Sequence, residues 1–227
     1  MNRFTRRREP RGVDELAMLA HPESAAAEAY RTLRANIQLG HAETGPQRVL
    51  FTSAGPEEGK STTLANVGVA AAQAGSRVLL VDADLRRPRL HELFSLSNDV
   101  GVTTAVQSPT TAPSCVQQTR VAGLRVLTSG PTAPSPVELL SSASFEELLT
   151  TVAGGADLIM LDSPPAGTLA DASVLARCVS GVILVLDARQ TRRESAQLAK
   201  AQLERVQARI LGVVLSNASV DSSAYRY

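Results

Sequence analysis

One segment restricts this chain more than any other: Arg48-Val-Leu-Phe-Thr-Ser-Ala-Gly-Pro-Glu-Glu-Gly-Lys-Ser-Thr-Thr63. A short apolar run reads as a buried strand, a Gly/Pro loop follows, and Gly59-Lys60-Ser61 opens an alanine-rich helix. Strand, glycine-rich loop and helix N-terminus in that order make a phosphate-binding loop. Such a loop converges several backbone N–H groups on one concavity, and the helix N-terminus adds partial positive charge there. Gly55, Pro56, Glu57, Glu58, Gly59, Lys60, Ser61 and Thr62 are therefore the candidate nucleotide contacts. Lys60 supplies a point charge for the β- and γ-phosphates of a nucleotide, and Ser61 a hydroxyl ligand for Mg²⁺. Counting back from Gly59, the first loop position holds Ala54, with Gly55 one place later.

The remainder alternates between strand and helix patterns. Continuous apolar runs, the mark of strands buried on both faces, occur at Val49–Phe51, Arg77–Val81, Leu124–Leu127, Leu158–Leu161, Val182–Leu186 and Ile210–Leu215. Helical stretches lie at Ala25–Leu39, at Lys60–Ala74 with Gly75 as C-terminal cap, and at Pro136–Val152 with proline in its first turn. Thr191-Arg-Arg-Glu194 has the form of a capping box for a helix reaching about Gln207. This alternation predicts an α/β fold, a doubly wound and mostly parallel sheet flanked by helices, with its ligand beyond the carboxyl ends of the strands.

Aspartates stand at two of those ends. Val78-Leu-Leu-Val81 runs into Asp82 and Asp84, and Leu158-Ile-Met-Leu161 into Asp162. Beside a phosphate loop they offer hard oxygen ligands to Mg²⁺, direct or through water. Alternation along the chain sends Asp82 and Asp84 the same way. A single aspartate at such a place more often caps the next helix or turn; three of them around an assigned phosphate loop favour metal and catalysis. Arg86 and Arg87 follow directly, either as phosphate contacts or as a solvated basic turn.

Composition narrows the setting. A chain of 227 residues, 44% hydrophobic and only 3% aromatic, builds its core from Ala, Val and Leu. Cys115 and Cys178 are far apart, without metal-ligand or disulfide spacing, and read as small buried hydrophobes. No apolar run reaches the ~18 residues of a membrane helix, so a cytoplasmic protein is expected. Lys and Arg number 23 against 22 Asp and Glu, a balance that argues against a general nucleic-acid binder. The one basic concentration is Met1–Arg11, with Arg3, Arg6, Arg7, Arg8 and Arg11. It reads as a disordered arm, or as a contact for anionic lipid or an acidic partner. The expected organisation is an arm at 1–15, one domain at 16–218 and a flexible tail at 219–227.

From about residue 16 onward the chain resembles the bacterial tyrosine kinases (BY-kinases) of capsule and exopolysaccharide synthesis. The resemblance lies in a Walker A loop at Ala54–Ser61, a second Walker motif at Val78–Arg86, Walker B at Leu158–Asp162, and a Glu-x-x-Arg-x-x-Arg helix at Glu28–Arg34. Gly130-Pro131 through Ser141 also looks like the family's segment at that place. The resemblance implies a P-loop NTPase-like kinase fold using ATP and Mg²⁺. Lys60 would stabilise the transferred phosphoryl group; Ser61, Asp84 and Asp162 would hold the metal; Asp82 would take the proton of the attacking tyrosine. Glu28, Arg31 and Arg34 would lie at the interface of a homo-oligomeric ring, where spacing alone gives only intrahelical ion pairs. The implied adenine-side asparagine would follow Leu215 at once; here Ser216 intervenes before Asn217. Tyr225 and Tyr227, in a sparser cluster than the family commonly carries, would be the acceptors. A membrane adaptor of the polysaccharide co-polymerase type would recruit the kinase to the inner face of the membrane, and sugar-nucleotide enzymes would be further substrates.

Two rival readings remain at this level. A MinD/ParA-type ATPase shares the Walker motifs, but it carries a lysine where this chain has Gly55. A nucleotide-gated scaffold that transfers nothing would also accommodate the sparse tyrosine tail.

Overall fold

The structure, a computed structural model, describes Gly12 and residues 15–39 and 46–218. The basic arm Met1–Arg11 and the tail at 219–227, with Tyr225 and Tyr227, lie outside the described residues. In chain order the helices are α1 (Ala17–Ala20), α2 (Ala25–Leu39), α3 (Lys60–Gln73), α4 (Leu90–Phe94), α5 (Val102–Ala105), α6 (Pro136–Leu140), α7 (Ala143–Val152), α8 (Asp171–Leu175) and α9 (Arg193–Arg205). The strands are β1 (Gln47–Ser53), β2 (Val78–Asp82), β3 (Gln117–Gln118), β4 (Leu124–Leu127), β5 (Leu158–Asp162), β6 (Gly181–Asp187) and β7 (Ile210–Ser216).

These strands form one sheet in the order β3-β4-β2-β5-β1-β6-β7, parallel except for the β3–β4 pair. Alternate residues of each central strand feed two separate apolar layers, as the two-residue period of a strand requires. Val49, Phe51, Val78, Leu80, Leu158 and Met160 pack under α1–α4, whereas Leu50, Leu79, Val81, Ile159 and Leu161 pack under α5–α9. The doubly wound α/β sheet expected from the sequence is therefore present, and β2 and β5 are buried along their whole length.

Several local expectations need correction. The run at Ile210–Leu215 forms an edge strand, not one buried on both faces: it pairs with β6, and Val213 and Leu215 are 55% and 59% exposed. The stretch Pro136–Val152 is two helices. The first ends at Leu140 with Ser141 as its C-cap, and Ser142 caps the second, its side chain accepting from the Phe145 N–H. The capping box at Thr191 does not form. Arg192 holds the N-cap position without a side-chain cap, because the Thr191 hydroxyl is engaged by Glu58 and by the Asp187 N–H. Strand β3 carries two glutamines and no apolar run, so hydropathy gives no sign of it. Gly75 does end α3 as expected, at φ 91°, with the Gly75 and Ser76 N–H groups on Ala72 and Ala71 carbonyls. Cys115 is buried and Cys178 half-buried. No helix among the described residues is long and apolar enough to cross a membrane.

Candidate active site

Beyond the carboxyl ends of β1, β2 and β5 the chain folds into a buried polar cluster. The loop after β1 is held by its own side chains: Ser53 Oγ donates to the Gly55 carbonyl (2.7 Å), and the Ala54 N–H donates to Glu58 Oε2 (2.9 Å). Gly59 sits at φ 84°, a left-handed conformation open to glycine at little cost, and from there α3 begins at Lys60. Pro56 and Glu57 are exposed, Gly55 and Thr62 half-buried, and Glu58 only 4% exposed. The Glu58 carboxylate therefore braces the loop from within, and its backbone is the part left to meet a ligand.

Lys60 Nζ lies at the centre of the cluster. It is 2.9 Å from Asp84 Oδ2, 3.2 Å from Asp162 Oδ1 and 3.2 Å from Ser61 Oγ. The Ser61 hydroxyl donates to the other oxygen of Asp162. Burial alone would depress the Lys60 ammonium, but the charges of Asp162 and Asp84 outweigh it and hold its pKa above the ordinary value.

Asp82 and Asp162 are direct partners in the β2–β5 register, which sets two carboxylates side by side with no exposed surface. Burial, and then the neighbouring charge of Asp162, push Asp82 up to about 8. Burial also raises Asp162, against the pull of Lys60. Asp82 Oδ2 accepts from the Arg89 and Leu90 N–H groups at the start of α4 (3.0 and 2.9 Å). Its Oδ1 is buried without a hydrogen-bond partner. Asp82 thus caps a helix with one oxygen and leaves the other free inside the cluster.

Hard oxygens from Ser61, Asp84 and Asp162 suit Mg²⁺, and a cation, the Lys60 ammonium, already sits among them. Among the described residues no three His, Cys, Asp or Glu side chains are set to hold a metal unaided. Mg²⁺ keeps its waters and takes one or two carboxylates together with substrate phosphates, a requirement these oxygens can meet.

Other sequence-derived residues fall elsewhere. Arg86 faces away from a phosphate role: its guanidinium forks onto Asp171, a fully buried carboxylate at the start of α8, at 3.0 and 3.3 Å. Arg87 contributes its N–H to Asp84 Oδ1 (3.0 Å). On α2, Arg31 pairs with Glu28 (3.1 Å) and donates to the Pro22 carbonyl, while Arg34 donates to Gln38. The Glu28–Arg31 pair is the intrahelical contact that spacing predicts, on an exposed helix face. Asn217 follows the end of β7, beside Gly59, and its amide donates to Asp187 (2.8 Å).

Sequence reasoning passed over Asp171 and Asp187, and read Thr191 only as a helix cap. For Asp187 a signal existed, since it ends the apolar run of β6 as Asp162 ends that of β5. Asp171 carries no such mark, and the spacing at Thr191 points to a cap rather than to Glu58.

Residues 48–223 match the ParA family, described as NUBPL iron-transfer P-loop NTPase. The chain is 39% identical to tyrosine-protein kinase YwqD of Bacillus subtilis over 92% of its length and 89% of that protein's. With tyrosine-protein kinase CpsD of Streptococcus agalactiae it shares 32% identity, over 87% and 85% of the two chains. The kinase domain of Escherichia coli tyrosine kinase ETK superposes with a TM-score of 0.85 at 29% identity, covering 99% of this chain and 87% of that one. With this sequence likeness and a shared P-loop fold, the chain belongs to the bacterial tyrosine kinases.

Proposed function

We propose that this kinase transfers the γ-phosphoryl group of ATP to tyrosine at the Lys60 cluster, with Tyr225 and Tyr227 of a neighbouring copy as acceptors. The observation that carries the proposal is the convergence of Lys60, Ser61, Asp84 and Asp162 on one buried point, with the partnerless Asp82 Oδ1 beside it. The loop amides from Gly55 to Thr62 would hold the phosphates, and Lys60 would exchange its carboxylate contacts for them. Ser61, Asp84 and Asp162 would hold Mg²⁺, which supplies neutralising charge for the phosphates when bound. In the transfer, the bond from the tyrosine oxygen to Pγ forms as the bond to the β-phosphate oxygen breaks, and the phenolic proton passes to Asp82 Oδ1, which the positive charge of bound Mg²⁺ would first return to its carboxylate form. Asp82 has no exposed surface, so its oxygen must be uncovered before the acceptor can reach it. Proton transfer can come late in a loose transition state, which makes position more important than basicity.

The ring interface at Glu28, Arg31 and Arg34, recruitment to the inner membrane face by an adaptor of the polysaccharide co-polymerase type, and phosphorylation of sugar-nucleotide enzymes belong to the same proposal. So do a single domain at 16–218, the basic arm before it and the tail after it. The exposure of Glu28 and Arg31 supports the interface reading, because a solvated pair can exchange partners with a second copy.

Labelled ATP and Mg²⁺ test the chemistry, with and without a candidate activator. The full chain is expected to incorporate label on tyrosine. Tyr225→Phe with Tyr227→Phe should abolish it, and Asp82→Asn should slow it about 10²-fold or more. Label that persists in the tyrosine double variant would refute the acceptor assignment. Light scattering of Glu28→Ala with Arg31→Ala and Arg34→Ala tests the interface: a mass unchanged from wild type would remove it.

A further inference from the structure

We infer that Asp187 is a positioning residue that sets nucleobase choice, by turning the Asn217 amide so that its oxygen faces the base. The inference rests on the nucleotide-binding reading above. Strands β6 and β7 end side by side, with Asp187 opposite Ser216, and Asn217 follows at φ 54° with its side chain exposed. Asn217 Nδ2 donates to Asp187 Oδ2 at 2.8 Å. A carboxylate only accepts, so the amide has one orientation, with nitrogen toward Asp187 and Oδ1 turned the other way.

Asp187 is itself fixed. It is 6% exposed, and its Oδ1 takes the Arg189 N–H at 2.8 Å. Its own N–H donates to the Thr191 hydroxyl (2.8 Å), which donates to Glu58 Oε1 (2.6 Å). Glu58 Oε2 in turn takes the Ala54 N–H of the phosphate loop. A second tie runs from Ser216 Oγ to the Glu58 carbonyl (2.7 Å). The amide that would meet the base is thereby held in register with the loop that would meet the phosphates.

Adenine presents an exocyclic amine where guanine presents a carbonyl oxygen. An Oδ1 locked outward attracts the first and repels the second, whereas an amide free to flip would accept either. Selectivity then resides in Asp187 as much as in Asn217.

Asp187→Asn gives the sharpest test. The Arg189 N–H still claims the new amide oxygen, which leaves the amide nitrogen facing Asn217. That nitrogen must donate to Asn217 Oδ1, which turns Asn217 Nδ2 outward toward a guanine-type acceptor. Fluorescent ADP and GDP analogues are titrated into the full-length wild type, Asp187→Asn, Asp187→Ala and Asn217→Ala, with folding checked by thermal melting. Wild type is expected to favour ADP. Asp187→Asn should lower the ADP-to-GDP preference at least about tenfold, the size of one hydrogen bond gained or lost. Asp187→Ala, like Asn217→Ala, should level it. An unchanged ratio in Asp187→Asn, or an equal loss of both affinities, overturns the proposal, as does a wild type that does not discriminate. If wild type binds neither nucleotide, the nucleotide-binding reading itself fails and this inference falls with it.

Discussion

Strands β2 and β5 run side by side, yet their two ends obey opposite electrostatics. At the amino ends, Arg77 and Asp157 form an exposed fork, with bonds of 2.8, 3.2 and 2.6 Å from the Arg77 backbone and guanidinium. Those hydrogen bonds hold the Asp157 carboxyl down to about 2. At the carboxyl ends, Asp82 and Asp162 face one another in a dry interior, and burial drives Asp82 up to about 8. The first pair is satisfied and solvated, so it fastens the strand ends. The second crowds like charges around one lysine, an arrangement that costs stability and keeps oxygen atoms ready for a cation or a proton. The fold supports that cost with apolar layers on both faces of the central strands.

The largest effect that could break this contrast comes from Lys60→Met. Phosphoryl transfer should fall at least about 10²-fold, in line with loss of one preorganised charge stabiliser. The metal-free protein should also lose on the order of 3 kcal/mol at neutral pH, because buried carboxylates lose their cation. Denaturant titration measures this, and an unchanged midpoint would mean that Lys60 is not the balancing charge.

Next in size is pH. Asp82 binds its proton more tightly in the folded chain (about 8) than in the unfolded chain (about 3.9). Folding therefore takes up a proton between those values, and this group's contribution to stability declines as pH rises from about 4 to about 8, then levels off. In EDTA, wild type should lose up to a few kcal/mol over that range, and Asp82→Asn should flatten the profile. Parallel profiles for the two proteins would contradict the crowded-charge account.

Gly167→Ala probes the steric side of the same end. A Cβ there would lie 2.5 Å from the Ala54 carbonyl oxygen, which is backbone and cannot rotate away. A loss of about 1–3 kcal/mol is expected, with weaker nucleotide binding because the phosphate loop shifts. Retained affinity would show that the loop tolerates displacement. The smallest effect belongs to the amino ends. Asp157→Asn should leave the neutral-pH midpoint almost unchanged, since exposed pairs contribute little. Its folded-state pKa is depressed, so its contribution exists above about 4 and is lost as pH falls through about 2. Wild type and variant should therefore converge in strong acid.

Much of this was legible in the residues. Apolar runs located six of the seven strands, and the phosphate loop, α2 and α3 lie where pattern placed them. Three of the failures share a cause, a dependence on parts of the chain distant in sequence. Thr191 has the spacing of a helix cap, yet its hydroxyl goes to Glu58, 133 positions earlier. Arg86 follows the Walker aspartates, yet it pairs with Asp171, 85 positions later. The run at Ile210–Leu215 has the composition of a central strand, but only sheet order reveals that it stands at an edge.

By itself, the sequence determined the chemistry available: a glycine-rich loop with Lys60 and Ser61, and aspartates ending apolar runs. Local physics suffices for that, since backbone conformation, strand periodicity and side-chain functional groups are properties of neighbours along the chain. Only the tertiary structure decided what each group does at rest. It placed Lys60 between Asp84 and Asp162, gave one oxygen of Asp82 to the start of α4, and turned the Asn217 amide against Asp187. Those outcomes depend on burial and on partners brought together by the sheet, because a carboxylate's proton affinity and an amide's direction are set by what surrounds them in space.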